Sequence, residues 1–81
     1  MKKKLSDIKI GDKCVVTFVY GEGKIRRRLF DMGVTPTAQI IVIKRAPFGD
    51  PIQINIRGYE LTLRKDEAKL VEVELIKEDK K

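Results

Sequence analysis

The chain has 81 residues, which is room for one small domain. It carries 18 Lys and Arg against 12 Asp and Glu, a formal net charge of +6, and it contains no His, no Trp and one Cys. The missing histidines exclude the commonest general base and the commonest transition-metal ligand, and one cysteine can form neither an intrachain disulfide nor a structural zinc site. We therefore expect no enzymatic activity, no metal site and no cofactor.

The positive charge is concentrated at the two ends of the chain. Residues 1–13 hold a net charge of +3 and residues 77–81 hold +1, so residues 14–76 hold only +2. Polar residues interrupt the apolar run that a signal peptide would need after the first lysines. The longest aliphatic run, residues 40–43, is far too short to cross a bilayer. These features predict a cytoplasmic protein with no direct membrane insertion.

The first predicted strand covers residues 13–20. On a period of two, Cys14, Val16 and Phe18 share one face, which is interpreted as the core face. Cys14 is then a small buried hydrophobic side chain and not a reactive thiol. A second strand is predicted over residues 39–45.

The next segment predicts a β-hairpin. Apolar residues alternate with polar ones around Ile54 and again around Leu61 and Leu63, and Arg57-Gly58 lies between the two runs as a turn signal. A fifth strand is predicted over residues 71–75.

Two interruptions are predicted to be helical. Residues 24–32 have a single apolar stripe, and Gly33 follows as a natural residue to end the helix. Asp66 is predicted to cap a single turn over residues 66–69. The stripe of the longer helix consists of Ile25, Leu29 and Met32.

Five short strands with two helical interruptions predict an all-β fold with short helices. So few strands must curl to cover their edges, which favours a small five-stranded SH3-like barrel; an OB-type barrel is the second interpretation. Residues 1–81 are predicted to form a single domain of this type, with a core over about residues 5–76 and charged ends.

Two segments are candidates for binding a partner. The first is the basic run around Arg27 on the predicted helix, which can be either a solvated face or a docking surface for an acidic partner. The second is the Phe48 loop (residues 45–51), in which two prolines and Gly49 hold Phe48 in one place. Phe48 then either covers the open end of the barrel or is offered to a partner.

Nucleic acid is the competing partner, because small barrels often bind single strands through a basic groove and exposed aromatic side chains. Phe18 is expected in the core, and no strand alternates aromatic with basic residues in the manner of an RNA-binding sheet. The sequence therefore does not favour nucleic-acid binding, although a small-barrel nucleic-acid-binding or repressor-associated regulatory module stays as the alternative function.

Four motifs occur in order along the chain: Arg27-Arg28-Leu29, Met32-Gly33-Val34, Ala46-Pro47-Phe48-Gly49-Asp50-Pro51-Ile52 and Gly58-Tyr59-Glu60-Leu61. Their order and spacing resemble the FeoA family (ferrous iron transport protein A), from about residue 5 to residue 74. One departure is Thr37, where the family often has Gly after Pro.

The resemblance implies an SH3-like barrel in the cytoplasm that acts in bacterial Fe²⁺ uptake with FeoB, a membrane permease with a cytoplasmic GTP-binding domain. It implies an accessory protein and not an enzyme. Our hypothesis places the contact with an FeoB-like permease on the helix and the neighbouring Phe48 loop. Self-association and the sign of the effect on transport stay open. The predicted contact residues are Arg26, Arg27, Arg28, Leu29 and Phe48.

Overall fold

Six antiparallel strands form a single sheet in the computed structural model, which describes residues 2–76. The strand order is β1-β6-β2-β3-β4-β5, so β1 and β5 lie at the two ends of the sheet. The sheet is therefore a partly open barrel. The strands are β1 (Lys2–Lys4), β2 (Lys13–Val19), β3 (Gln39–Arg45), β4 (Ile52–Ile56), β5 (Tyr59–Leu63) and β6 (Val71–Leu75).

Three short helical segments connect the strands: a 3-10 turn (Leu5–Asp7), α1 (Gly23–Asp31) and α2 (Lys65–Ala68). The predicted end of α1 is confirmed, because Gly33 has φ 93° and its N–H donates to the Phe30 carbonyl at 2.9 Å. The Val34 N–H donates to the Leu29 carbonyl at 2.9 Å and completes the cap. Among residues 2–76, no helix has the length and apolar character needed to cross a bilayer.

The core lies on the concave side of the sheet. The alternation predicted for β4 is confirmed, since Ile52, Ile54 and Ile56 are fully buried and the residues between them are half-buried. Cys14 is also fully buried, as predicted. The other strands and the 3-10 turn contribute Leu5, Ile8, Val16, Val19, Ile40, Val42, Leu63, Val71 and Val73.

The β4–β5 connection is the predicted two-residue hairpin. Ile56 pairs with Tyr59, which leaves Arg57 and Gly58 as the two turn residues. Both have positive φ, 51° and 90°. Two successive positive φ angles match the right-handed twist of the strands on either side, so the turn fixes the register of the hairpin.

The prediction of five strands is wrong, because Lys2–Lys4 form a sixth strand. Lys3 pairs with Val73 of β6, and Lys2 and Lys4 pair with its acidic neighbours. Three consecutive lysines carry no alternation of apolar and polar residues, so the pattern gave no signal for a strand. Their pairing is made by the backbone, and lysine is a common choice at the edge of a sheet.

The assignment of Phe18 to the core face is also wrong. Val16 pairs with Val73 and Phe18 pairs with Glu72, so two steps along β2 match one step along β6. Thr17 is the extra residue of a β-bulge, and every side chain after it changes face. Phe18 is therefore 46% exposed, and Val19 lies in the core instead.

The predicted capping of α2 by Asp66 is wrong as well. The residue before the helix is Arg64, and Asp66 lies inside the first turn. The acceptor that satisfies the start of the helix is Glu67 Oε1, which receives the Arg64 backbone N–H at 2.9 Å. A side chain at the third helical position reaches back to the cap, and this leaves no capping role for Asp66.

Replacing Thr37 with glycine should stabilise the fold. Thr37 has φ 78° and its N–H donates to the Val16 carbonyl at 2.8 Å. A non-glycine side chain in this left-handed conformation lowers the stability of the fold by about 1–2 kcal/mol. Glycine avoids this strain, but the greater freedom of glycine in the unfolded chain lowers stability by about 0.5–1 kcal/mol. We expect Thr37→Gly to raise the free energy of unfolding by about 0.5–1 kcal/mol, measured by urea denaturation.

The control for this variant is Thr62→Gly, which makes the same change at an exposed strand position without positive φ. It should lower the free energy of unfolding by about 0.5–1 kcal/mol. A Thr37→Gly variant that loses stability to the same extent would contradict strain at Thr37.

The thiol of Cys14 should be unreactive in the folded protein. Burial, with a smaller contribution from the nearby Asp12 carboxylate, raises the pKa of Cys14 to about 12. At pH 8 the thiolate is then scarce and covered, whereas an unfolded cysteine has a pKa of about 8.5. We expect Ellman's reagent to label the native protein at least about 100-fold more slowly than the protein in guanidinium chloride. Rapid labelling of the native protein would show that this face of the core opens.

Candidate docking surface

The three consecutive arginines of α1 have three different environments, and Arg26 is held against the body of the protein. Its Nε donates to the Val19 carbonyl at 3.2 Å. Its guanidinium carbon lies 4.6 Å from the centroid of the Phe30 ring, within the range of a cation–π contact. Arg26 is exposed to solvent but fixed in direction, so its charge is presented at a defined place.

Arg28 connects the two helices. Its Nη1 donates to Glu67 Oε2 in an ion pair, and Glu67 is a buried carboxylate of α2. The same carboxylate receives the Arg64 N–H at the start of α2. Because a buried carboxylate is costly without a partner, Arg28 stabilises the packing of α1 on α2 and is not a free binding group.

Arg27 is the arginine of α1 whose side chain has no partner in the part of the chain that the structure describes. Its side chain makes no hydrogen bond or ion pair with any group in residues 2–76. Ile25, two residues earlier, has 47% of its surface exposed, although it belongs to the predicted apolar stripe. Residues two apart point about 200° away from each other on a helix, so the exposed Ile25 and the charge of Arg27 lie on different sides of α1.

The prediction that Leu29 contacts a partner is wrong. Leu29 is fully buried and belongs to the core cluster. It is the residue of α1 that faces the sheet, so it anchors the helix and has no surface to offer. A partner can only reach the outer residues of α1.

The Phe48 loop presents its aromatic side chain to solvent, since Phe48 is 95% exposed. The loop is closed at its base by the Ala46 N–H, which donates to the Pro51 carbonyl at 3.0 Å. The Gly49 N–H donates to the Ala46 carbonyl at 2.7 Å and makes the turn at the tip. An exposed aromatic side chain on a loop ordered by its own hydrogen bonds is suited to enter an apolar pocket of a partner.

Helix α2 contacts both halves of the candidate surface. On one side Glu67 pairs with Arg28 of α1, and on the other the Lys65 backbone N–H donates to Asp50 Oδ1 of the Phe48 loop at 3.0 Å. Since α2 is only four residues long, its length is roughly 6 Å. The arginine helix and the Phe48 loop thus each contact α2, the first through Arg28 and the second through Asp50.

The sequence reasoning missed a second exposed cluster, on the outer face of β2 and β6. The rings of Phe18 and Tyr20 lie edge to face with their centroids 4.7 Å apart, and each is nearly half exposed. Tyr20 Oη donates to Glu72 Oε1 at 2.7 Å, and Thr17 Oγ1 donates to Glu72 Oε2 at 3.1 Å. Lys2 Nζ lies 3.5 Å from the same carboxylate.

These contacts favour the ionised form of Glu72. The hydrogen bond from Tyr20 has the largest effect and lowers the pKa of Glu72. Burial opposes it, and the hydrogen bond from Thr17 and the charge of Lys2 add smaller lowering effects. The same hydrogen bond raises the pKa of Tyr20. Glu72 is therefore a charged group whose acceptor atoms are already occupied.

Within residues 2–76, no three His, Cys, Asp or Glu side chains come together in an arrangement that could hold a metal ion. The single cysteine is buried in the core, and Glu67 and Glu72 each serve an ion pair. The exposed features of the described chain are therefore charges and apolar side chains suited to binding.

The comparisons with known proteins agree with one another. A family model described as the FeoA domain matches residues 3–75. The Fe(2+) transport protein A/Fe(2+) transporter FeoB fusion protein of Porphyromonas gingivalis is 38% identical over 73 residues, which cover 90% of this chain. The chain spans only 9% of the length of that fusion protein.

Two solved structures share the fold. The FeoA-like protein of Clostridium acetobutylicum has a TM-score of 0.88 and 39% identity, over 99% of this chain and 93% of that one. The FeoA of Stenotrophomonas maltophilia complexed with zinc, described as a prokaryotic SH3 domain protein, has a TM-score of 0.78 and 26% identity, over 89% of each chain.

The predicted class, all-β with short helices and an SH3-like barrel, is thereby confirmed, with six strands in place of five. The match of the family model over residues 3–75 covers nearly the whole chain, and the relatives at 38% and 39% identity carry the same name. This chain belongs to the FeoA family.

Proposed function

We propose that this protein is a non-enzymatic accessory protein that docks on the cytoplasmic part of an FeoB-type GTPase-permease and modulates ferrous iron uptake. The observation that carries the proposal is the Porphyromonas gingivalis relative, in which a domain 38% identical to this chain is fused to an FeoB transporter. A fusion keeps two modules at a high effective concentration, which is useful when the modules act together.

A covalent connection brings two modules together but does not orient them, so an interacting surface is still needed. The outer side of α1 and the Phe48 loop supply one. Arg27 offers a guanidinium that has no partner among residues 2–76, Arg26 offers a fixed one, and Phe48 offers an exposed ring. The complementary surface on the partner is a cluster of carboxylates beside an apolar pocket, because arginine pairs with carboxylates in a defined geometry and an aromatic side chain needs a desolvated site.

Modulation without catalysis requires that the protein bind one state of the permease better than another. A ligand with equal affinity for two states shifts neither of them. The GTP-bound and GTP-free forms of the cytoplasmic domain are the two states that such a transporter offers. We therefore expect the affinity to differ between them, and a titration of the purified domain with and without a non-hydrolysable GTP analogue measures the difference.

Two substitutions should weaken docking by different physical routes. Arg27→Glu removes a free charge and should lower the affinity about 10-fold at low salt, mainly through slower association, with a smaller effect at high salt. Phe48→Ser removes the aromatic side chain that would be buried in the partner's pocket in the complex. It should lower the affinity by roughly 30-fold, mainly through faster dissociation. Surface plasmon resonance with the immobilised cytoplasmic domain of the cognate permease separates the two rates.

The matched controls make the same type of substitution at positions outside the proposed docking surface. Lys9→Glu makes the same charge change at an exposed position before β2, and Ile10→Ser removes an apolar side chain that is 56% exposed. Both should bind like the unmodified protein. If Arg27→Glu and Phe48→Ser also bind like the unmodified protein, the docking surface lies elsewhere; if the unmodified protein does not bind in either nucleotide state, the proposed function is wrong.

Arg28 should behave differently from Arg27 because its charge stabilises the fold. Arg28→Glu places a carboxylate against the buried Glu67 and should lower the free energy of unfolding by about 2 kcal/mol. Arg27→Glu should change it by less than about 0.5 kcal/mol. Urea denaturation of the two variants makes the comparison, and equal losses of stability would contradict the assignment of Arg28 to the α1–α2 contact.

A further inference from the structure

A lysine cleft lies between the edge strand β1 and the segment that follows α2. It has a volume of about 780 Å³. Its basic residues come from two separate parts of the chain, β1 and the end of α2. The side chains that line it include Lys2, Lys3, Lys4, Lys69, Tyr20 and Leu70.

The positive charge of this cleft is only partly neutralised. Two carboxylates, Asp7 and Glu72, also line it. The carboxylate of Glu72 accepts hydrogen bonds from Tyr20 and Thr17 and forms an ion pair with Lys2. The ammonium groups of the other three cleft lysines make no ion pair within residues 2–76, and Asp7 is the one lining carboxylate left to offset them.

The aromatic pair of Phe18 and Tyr20 adjoins the cleft. Lys2, Tyr20 and Glu72 line both the cleft and the shallow depression that exposes Phe18. The two rings are exposed because of the bulge at Thr17. Lysines beside half-exposed aromatic side chains suit a membrane surface, since the ammonium groups approach lipid phosphates and the rings enter the interfacial region. The exposure of Phe18 removes one argument against single-stranded nucleic acid, which uses the same combination and is therefore included in the test.

The use of lysine here and arginine on α1 distinguishes the two surfaces. Arginine is a planar donor that suits a fixed carboxylate, whereas lysine is a point charge on a flexible stem with no fixed geometry. Phosphates of a fluid lipid surface move laterally and offer no fixed geometry to match. Mobile lysine charges therefore fit such a surface better than they fit a structured acidic site on a protein.

We propose that the lysine cleft and the Phe18–Tyr20 pair form a contact with the anionic surface of a lipid bilayer. The contact is electrostatic and superficial, without insertion of any segment. It goes beyond the proposed docking to a permease and rests on different residues, so the two can be tested apart.

The test measures partition of the full chain into vesicles that contain no other protein. We expect binding to vesicles of phosphatidylcholine with about one third phosphatidylserine, little binding to phosphatidylcholine alone, and loss of binding in high salt. The double substitution Lys3→Gln with Lys4→Gln should lower the partition coefficient about 25-fold, since each lysine near an anionic surface contributes about 1 kcal/mol. Co-sedimentation over a series of lipid concentrations gives the coefficient.

The matched control is Lys9→Gln with Lys44→Gln, which removes the same charge from positions outside the cleft. It should lower the partition coefficient less than about 3-fold, because charges more than a Debye length from the surface are screened. If the two double variants lose the same factor in partition coefficient, binding depends only on the net charge of the protein and the proposal is overturned. Equal binding to both kinds of vesicle would overturn it too.

Two competing occupants are tested in the same assay. A single-stranded oligonucleotide or an acidic peptide that binds the cleft more tightly than vesicles of the same charge concentration would show that the lipid assignment is wrong. Failure of vesicle binding with intact docking to the permease domain would overturn this inference alone. Failure of docking with intact vesicle binding would overturn the proposed function alone.

Discussion

The extra residue at Thr17 decides what both exposed surfaces of this protein contain. Without the bulge, Phe18 would face the core and Val19 would face solvent, as strict alternation requires. With it, Val19 enters the core and its carbonyl receives the Arg26 Nε. The same shift turns Phe18 outward beside Tyr20, and the Thr17 hydroxyl bonds to Glu72. One inserted residue thus orients a guanidinium of the docking surface and creates the aromatic pair at the lysine cleft.

Glu67 provides the second constraint, because it is a buried carboxylate with two donors from different elements. The Arg64 N–H begins α2, and the Arg28 guanidinium attaches α1 to it. A domain of this size buries roughly 60–65% of its unfolded surface, so its margin of stability is small and one such contact matters. The consequence for function is that neighbouring arginines cannot be interchanged. Arg28 is used by the α1–α2 contact, whereas the side chain of Arg27 has no hydrogen bond or ion pair with residues 2–76.

The parts of the fold that were predictable from sequence are those that depend on local chemistry. The alternation around Ile54, the positive φ at Gly58 and the helix end at Gly33 each follow from a few adjacent residues. The errors arise where a distant segment decides the outcome. The bulge is set by pairing with β6, and Glu67, the partner of Arg28, lies 39 residues away in sequence. The lysines of β1 form a strand because β6 offers them an edge, and no pattern of their own encodes it. In the candidate site, Phe48 could be named from its loop, whereas the burial of Leu29 required the packing of α1 on the sheet.

Two kinds of positive surface are present among residues 2–76. On α1, Arg26 is held in one orientation by a hydrogen bond. The lysines of β1 and Lys69 carry point charges on flexible side chains that have no fixed donor geometry. Each surface alone gives a weak contact, since exposed charges contribute little individually. When two weak contacts engage partners that lie in the same place, the second forms at the effective concentration set by the first, and the combined affinity exceeds either one. The permease and the lipid around it, which we propose as the partners of the two surfaces, would form such a pair. A small domain with little area to bury can in this way bind firmly at a transporter in its membrane and remain weakly bound to either partner alone.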